Sequence, residues 1–256
     1  MEAKIIKLYK QYNNLSKVSR ELNISRKIVT KVVKDAGIQI PKHTYIYNED
    51  VFNVIDTEEK AYWLGLLFAD GCIYNCKGYK TLEITLKSTD IDHLKLFGNF
   101  LCGTDRIVKY KEVKLKGKIY PQYKVAACNK KICTDLISLG LVERKSLIAK
   151  YPNIPNKLQR HFIRGFVDGD GGVSVDRGCI YLVSGSQIFI DSVIQVIKSE
   201  LNIPEPKVHQ KKNSNAFQLY YYGDNCKKVL DWLYSDCNVA LKRKQNNAFA
   251  VLGRNI

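Results

Sequence analysis

Two nine-residue stretches of this chain, 100 residues apart, say nearly the same thing: Trp63–Gly71 reads WLGLLFADG and Ile163–Gly171 reads IRGFVDGDG. Gly65 aligns with Gly165, Ala69 with Gly169, Asp70 with Asp170 and Gly71 with Gly171. Apolar residues running through a small residue predict a helix, and Asp-Gly predicts its end. Gly65 and Ala69 are four residues apart, as are Gly165 and Gly169, so each pair lies on one stripe. Small residues at that spacing let two helix backbones approach closely. A chain with two such helices is constrained to pack one against the other, as the seam between two related halves.

The seam would bring the helix C-termini together, and Asp70 and Asp170 with them. Carboxylates are disfavoured there by the negative end of the helix dipole and by each other. A divalent cation resolves the conflict. Mg²⁺ takes one or two carboxylates, accepts carbonyl oxygens such as those of Ala69 and Gly169, and completes its shell with water or phosphate. Such ions support phosphodiester hydrolysis.

The remaining sequence repeats in the same order. Thr81–Lys87 alternates apolar and polar residues as a half-buried strand does, followed by a helix over 90–101, strands over 106–113 and 119–127, and a helix over 129–139. A strand over 179–184, a helix over 187–201, a hairpin over 207–222 turning at 213–215 and a helix over 225–234 match them. Asp56 or Thr57 starts the first motif helix, with Asp56 and Glu59 at capping-box spacing. Pro152 and Pro155 mark the junction. Val142–Lys145 (VERK) echoes Ala240–Lys244 (ALKRK) after the last helix of each half. A period near 100 residues is domain-sized and indicates duplication. The organisation expected is 1–42 a helical unit, 43–55 a linker, 56–152 the first repeat and 153–256 the second.

Charge points to a polyanion. The 256 residues hold 41 Lys+Arg against 25 Asp+Glu, a net +16, and nucleic acid is the commonest partner of such a field. Residues 1–42 alone carry +7. They read as three short helices: one through Ile5, Leu8 and Tyr9, one over 16–22, and one capped by Ser25, burying Ile28, Val29, Val32 and Val33 and ending near Gly37. Arg26, Lys27 and Lys31 lie on the outer face of the third. This is the helix-turn-helix plan, whose last helix enters the major groove. The eight cysteines form no CxxC pair and do not cluster with the four histidines, which disfavours zinc and fits reduced core thiols. No apolar run is long enough to span a membrane, and no signal peptide is expected.

WLGLLFADG and IRGFVDGDG resemble the two signature helices of the LAGLIDADG homing endonucleases, and DTEEKAYWLGLLFADG resembles the free-standing bacterial and phage members. The resemblance covers roughly residues 50–250. It implies an α+β fold of two pseudo-symmetric αββαββα repeats whose antiparallel sheets form a saddle over double-stranded DNA. It further implies a monomer that cuts both strands with Mg²⁺ (or Mn²⁺ or Ca²⁺), with Asp70 and Asp170 as the catalytic acids. Asp168 matches an acidic position of the consensus that Phe68 does not, and lying four after Arg164 it reads as half of a surface ion pair. The family's basic residues near the metals suggest Lys124, with Gln218 or Tyr220 as its counterpart. Lys87 and the hairpin residues Arg106, Lys109, Lys111, Lys114, Lys116, Lys118, Lys211 and Lys212 are candidate DNA contacts, since a two-stranded ribbon fits the major groove.

A non-cleaving regulator and an RNA maturase are the rivals; both acids argue against the first, and the helix-turn-helix against the second. The endonuclease segment of an intein is disfavoured because no flanking splicing residues are seen. The resemblance places the protein in the cytoplasm of a bacterium or phage host, or in an organelle if intron-encoded.

Overall fold

The computed structural model describes residues 1–12, 15–40, 45–76, 78–143, 145–211 and 214–254. Among the candidate contacts Lys212 lies outside them, as does part of the expected hairpin turn at 213–215. The chain divides into two compact units, Met1–Tyr45 and Ile46–Ile256.

The small unit holds α1 (Glu2–Tyr12), α2 (Leu15–Glu21) and α3 (Arg26–Asp35). Ile5, Leu8, Tyr9, Leu15, Val18, Val29 and Val33 form its core. Ser25 caps α3 by accepting from the Lys27 amide at 3.2 Å, and Asn23 takes the left-handed conformation in the turn before it. Ile28, expected inside, is 50% exposed. Val29 and Val33, four apart, define the buried stripe, and Ile28 falls one position off it.

The larger unit begins earlier than the expected linker allows. Val51, Phe52 and Ile55 are buried, and the Phe52 ring meets Phe100 edge-on at 5.7 Å. Then come α4 (Glu58–Asp70), β1 (Gly71–Cys76), β2 (Tyr79–Lys87), α5 (Ile91–Cys102), β3 (Lys109–Leu115), β4 (Lys118–Ala127) and α6 (Lys130–Ser138). The second repeat answers with α7 (Asn156–Asp170), β5 (Gly171–Ser174), β6 (Cys179–Ser184), α8 (Gln187–Leu201), β7 (Val208–Gln210), β8 (Phe217–Tyr222) and α9 (Gly223–Tyr234), and adds α10 (Lys242–Leu252). Thr57, not Asp56, caps α4, accepting from the Lys60 amide; Asp56 pairs with the Lys60 ammonium at 2.8 Å instead.

The unit is α+β, with two antiparallel four-stranded sheets ordered β1-β2-β4-β3 and β5-β6-β8-β7. Leu82, Ile84 and Leu86 point from β2 toward the helices and are buried. Glu83, Thr85 and Lys87 face the other way, so the alternation read from the sequence is the pleat itself.

Candidate active site at the helix seam

The small residues of α4 and α7 meet reciprocally. A methyl built on Gly65 would lie 1.9 Å from the Phe162 carbonyl oxygen, and one on Gly165 would lie 2.0 Å from that of Tyr62. Position 65 against 162 and position 165 against 62 is the signature of a two-fold contact. At the end of the seam a methyl on Gly169 would lie 2.2 Å from the Ala69 Cβ and 3.2 Å from Asp70 Oδ2. The seam thus delivers both motif acids to one place, and both are exposed there.

Their environment opposes ionisation. Burial of surrounding surface and then the neighbouring Asp170 push the Asp70 pKa up to about 6. Burial also raises that of Asp170, against the pull of Lys145 and Lys244. These two buried lysines were not singled out as site residues in the sequence. Lys145 donates to the carbonyl oxygens of Ala69 and Gly71 at the end of α4. Lys244 donates its three hydrogens to the carbonyl oxygens of Val167 (2.8 Å), Asp168 (2.7 Å) and Gly171 (2.8 Å) at the end of α7, with the Gly169 oxygen a longer, shared contact at 3.3 Å. They answer the negative helix ends, and burial lowers the pKa of Lys145 and brings that of Lys244 down to about 8. Their one trace in the sequence was the echo of VERK in ALKRK, which ends on these two residues. Ala69 and Gly169, expected to offer carbonyls to a metal, each have a lysine on that oxygen.

Asp168 and Arg164 do not form a surface pair. Arg164 is 0% and Asp168 1% exposed. The guanidinium reaches Glu58 at 2.7 Å and the carbonyls of Val239 and Leu233 at 2.9 Å. The carboxylate accepts from Tyr62 (2.7 Å), Tyr234 (2.7 Å) and the Leu241 amide (2.6 Å). Since the Tyr62 hydroxyl gives its one hydrogen to Asp168, it accepts from His93 Nε2 at 2.7 Å, which makes His93 a neutral donor; burial lowers its pKa to about 4. Asp168→Asn would set an amide against three donors and cost about 3 kcal/mol. A denaturant midpoint unchanged by that substitution would show that the carboxylate is dispensable.

Lys124 lies on β4 away from the helices, where its ammonium holds Glu83 at 2.7 Å; Lys111 holds the same carboxylate at 3.4 Å. The sheet registers pair Thr85 with Lys124 and Val183 with Gln218, so Gln218, not Tyr220, is the counterpart of Lys124. Lys109, Lys111 and Lys118 share the face of Lys124, Lys114 points from the opposite face, and Lys116 occupies the turn. Lys87, Arg106 and Lys211 are exposed, as are Arg26, Lys27 and Lys31 in the small unit.

Two antiparallel sheets joined through a tight pair of motif helices define a two-repeat α+β architecture with an acid from each repeat at its centre. Residues 157–233 match the LAGLIDADG-like domain family. The homing endonuclease I-DmoI, solved with DNA and Ca, superposes with a TM-score of 0.53 at 18% identity, covering 78% of this chain and 97% of that one. I-WcaI bound to its DNA recognition sequence superposes at 0.52 and 14% identity, covering 87% and 99%. A single-residue variant of I-DmoI, in complex with its target DNA in the presence of 2 mM Mg, gives 0.52 at 18% identity, covering 74% and 100%. The second repeat thus carries a LAGLIDADG-like domain, and the larger unit has the two-repeat saddle fold of these homing endonucleases. A curated relative, a probable translation initiation factor IF-2 of Methanocaldococcus jannaschii, is 27% identical over 254 residues, 94% of this chain; the chain spans 19% of that protein's length.

Proposed function

We propose that the protein is a site-specific DNA endonuclease that hydrolyses a phosphodiester on each strand of a long double-stranded site. One observation carries this reading: Asp70 and Asp170, one from each repeat, are brought together, exposed, at the end of the seam. Among the described residues no group of three or more His, Cys, Asp and Glu side chains could hold a metal by itself. Two carboxylates suffice for an ion that takes the rest of its shell from phosphate and water; burial and then the neighbouring Asp170 raise the Asp70 pKa, and such an ion offsets both. The residues fit the group. Asp70 and Asp170 would hold it, and when bound it supplies neutralisation of the scissile phosphate and an acidified water.

The chain's own groups do the rest. Lys145 and Lys244 fix the last turns of α4 and α7 and hold the acids at the exit of the seam. Their positive charge also favours an incoming phosphate. The exposed lysines of the first sheet would track the DNA backbone. The three helices of 1–45 would act as a helix-turn-helix, with α3 presenting Arg26, Lys27 and Lys31. With both half-sites in one chain, a monomer is enough.

One observation favours the non-cleaving reading: Lys145 and Lys244 occupy the Ala69 and Gly169 carbonyl oxygens and partly neutralise the acids without any ion. One experiment separates the two. The protein is incubated with Mg²⁺ and a randomised duplex library, and both bound and cut molecules are sequenced. Staggered ends sharing a long consensus are expected. Enrichment of bound, intact duplexes alone would make the protein a regulator, and no enrichment would remove DNA as the partner.

A further inference from the structure

The backbone leading from α9 into α10 is a strap laid across the seam, tied to one repeat and then the other. Asn238 donates from its amide and its side chain to Glu58 of the first repeat, both at 2.8 Å. Val239 accepts from Arg164 and Leu241 donates to Asp168, both on α7. Arg243 then reaches back to the first repeat and holds Asp90 through contacts of 3.0, 3.2 and 3.1 Å. The next residue is Lys244, whose ammonium holds the end of α7. Asp90 is buried at the N-cap of α5, yet its carboxylate caps no amide there. A cavity of about 380 Å³ lined by Asp90, His93, Leu241, Arg243 and Asn246 lies beside the ion pair, so little apolar packing backs it. The other half is tied in the same way by different chemistry. Ser186, the N-cap of α8, donates its hydroxyl to the Ala149 carbonyl oxygen at 2.7 Å. The Ala149 amide donates to the Lys145 carbonyl oxygen at 2.8 Å, closing the turn whose ammonium holds the end of α4.

We propose that Asp90 and Ser186 are positioning residues that act across the seam. Each places the lysine at the other repeat's catalytic end: Asp90 through Arg243 for Lys244, and Ser186 through Ala149 for Lys145. The proposal rests on the endonuclease reading, in which each repeat contributes one acid. A lysine ammonium rides on a long, flexible stem, so its reach is set by where its backbone is held. In both halves that backbone is held by the start of a helix in the opposite repeat, α5 for Lys244 and α8 for Lys145. Neither lysine is in place until the two repeats have docked, which ties the chemistry to a closed seam. A displacement of about 1 Å at a catalytic centre can slow a reaction about a hundred-fold. Loss of one tie moves one lysine, at the end of one motif helix, so the loss falls on one strand.

The test uses the full chain with Mg²⁺ and a duplex that the wild type selects from the randomised library, each strand carrying its own end label. Single-turnover rates for the two strands are read separately at saturating protein. Asp90→Ala is expected to slow the cut of one strand by roughly ten- to a hundred-fold and to leave the other at the wild-type rate, so that nicked duplex accumulates. The Arg243 side chain is 44% exposed and returns to water, so this substitution leaves no buried charge unpaired. Asp90→Asn, which keeps the shape, is expected to act on the same strand more weakly. Ser186→Gly, with a residue tolerated at a helix N-cap, is expected to slow the opposite strand. Equal slowing of both strands by the Asp90 variants would overturn the assignment. So would the same strand slowed by substitution at either position, or rates unchanged in all three variants. A wild type that cuts neither strand would overturn the endonuclease reading, and this proposal with it.

Discussion

Gly165→Ala, and equally Gly65→Ala, is expected to cost about 4 kcal/mol or more, among the largest effects a single methyl can have. An ordinary overpacked core relaxes by moving side chains and loses about 1–3 kcal/mol. Here the atoms 1.9 Å and 2.0 Å from the new methyl are backbone carbonyl oxygens of the facing helix, which cannot rotate away. The helices must part along the whole seam. Tyr62, Phe162 and Phe166, packed beside it, would move with them, and so would the Arg164–Glu58 ion pair that ties the repeats. Against a typical total of about 5–15 kcal/mol the domain would be marginal or unfolded at ambient temperature. Guanidinium denaturation followed by tyrosine and tryptophan fluorescence gives the number; a loss below about 1 kcal/mol would mean that the helices do not touch in solution. A swap at the end of the seam is an internal control. Gly169→Ala places its methyl 2.2 Å from the Ala69 Cβ, so adding Ala69→Gly should restore most of the lost stability, whereas no side-chain change can rescue Gly165→Ala.

The glycine seam was legible because it depends only on spacing: small residues four apart lie on one stripe of any helix. The strand faces were legible for the same reason, since Leu82, Ile84 and Leu86 alternate regardless of what covers them. Burial is different, because it depends on what the rest of the chain brings up. Arg164 and Asp168 have the spacing of a surface ion pair, and nothing local reveals that Glu58, Tyr62, Tyr234 and the 239–241 backbone close over them. Lys145 and Lys244 sat in an echo that was visible but chemically mute, because their partners are carbonyl oxygens 73 to 77 residues away. Short β1 and β5 and the polar α10 carry little periodicity of their own and are ordered by their neighbours. Register settled what similarity between the halves left open: only the β6–β8 pairing makes Gln218, rather than Tyr220, the partner of Lys124.

Asp70→Asn is expected to abolish cleavage and, at neutral pH, to stabilise the fold. Both follow from one raised pKa. The carboxyl titrates near 6 in the folded chain against 3.8 for the free side chain, so the folded state binds its proton more tightly than the unfolded one. Stability from this group is therefore greatest below about pH 4, declines as pH rises to 6, and is a constant penalty above that. A neutral amide removes the penalty. Because Asp70 is exposed, solvent reduces the gain to about 1 kcal/mol, read as a melting temperature a few degrees higher. Activity moves the other way. The wild-type rate should climb through about pH 6 as Asp70 ionises, and added Mg²⁺ should shift that inflection to lower pH, since an ion that binds the carboxylate competes with its proton. Above about pH 8 Lys244 loses its charge and the rate should fall again, giving a bell. Asp170→Asn should likewise stop double-strand cutting while leaving DNA binding. Cleavage by either mutant at the wild-type rate, or a profile flat between about pH 5 and 7, would remove these acids from the chemistry. A lowered melting temperature for Asp70→Asn would show instead that the carboxylate is held by partners the fold needs.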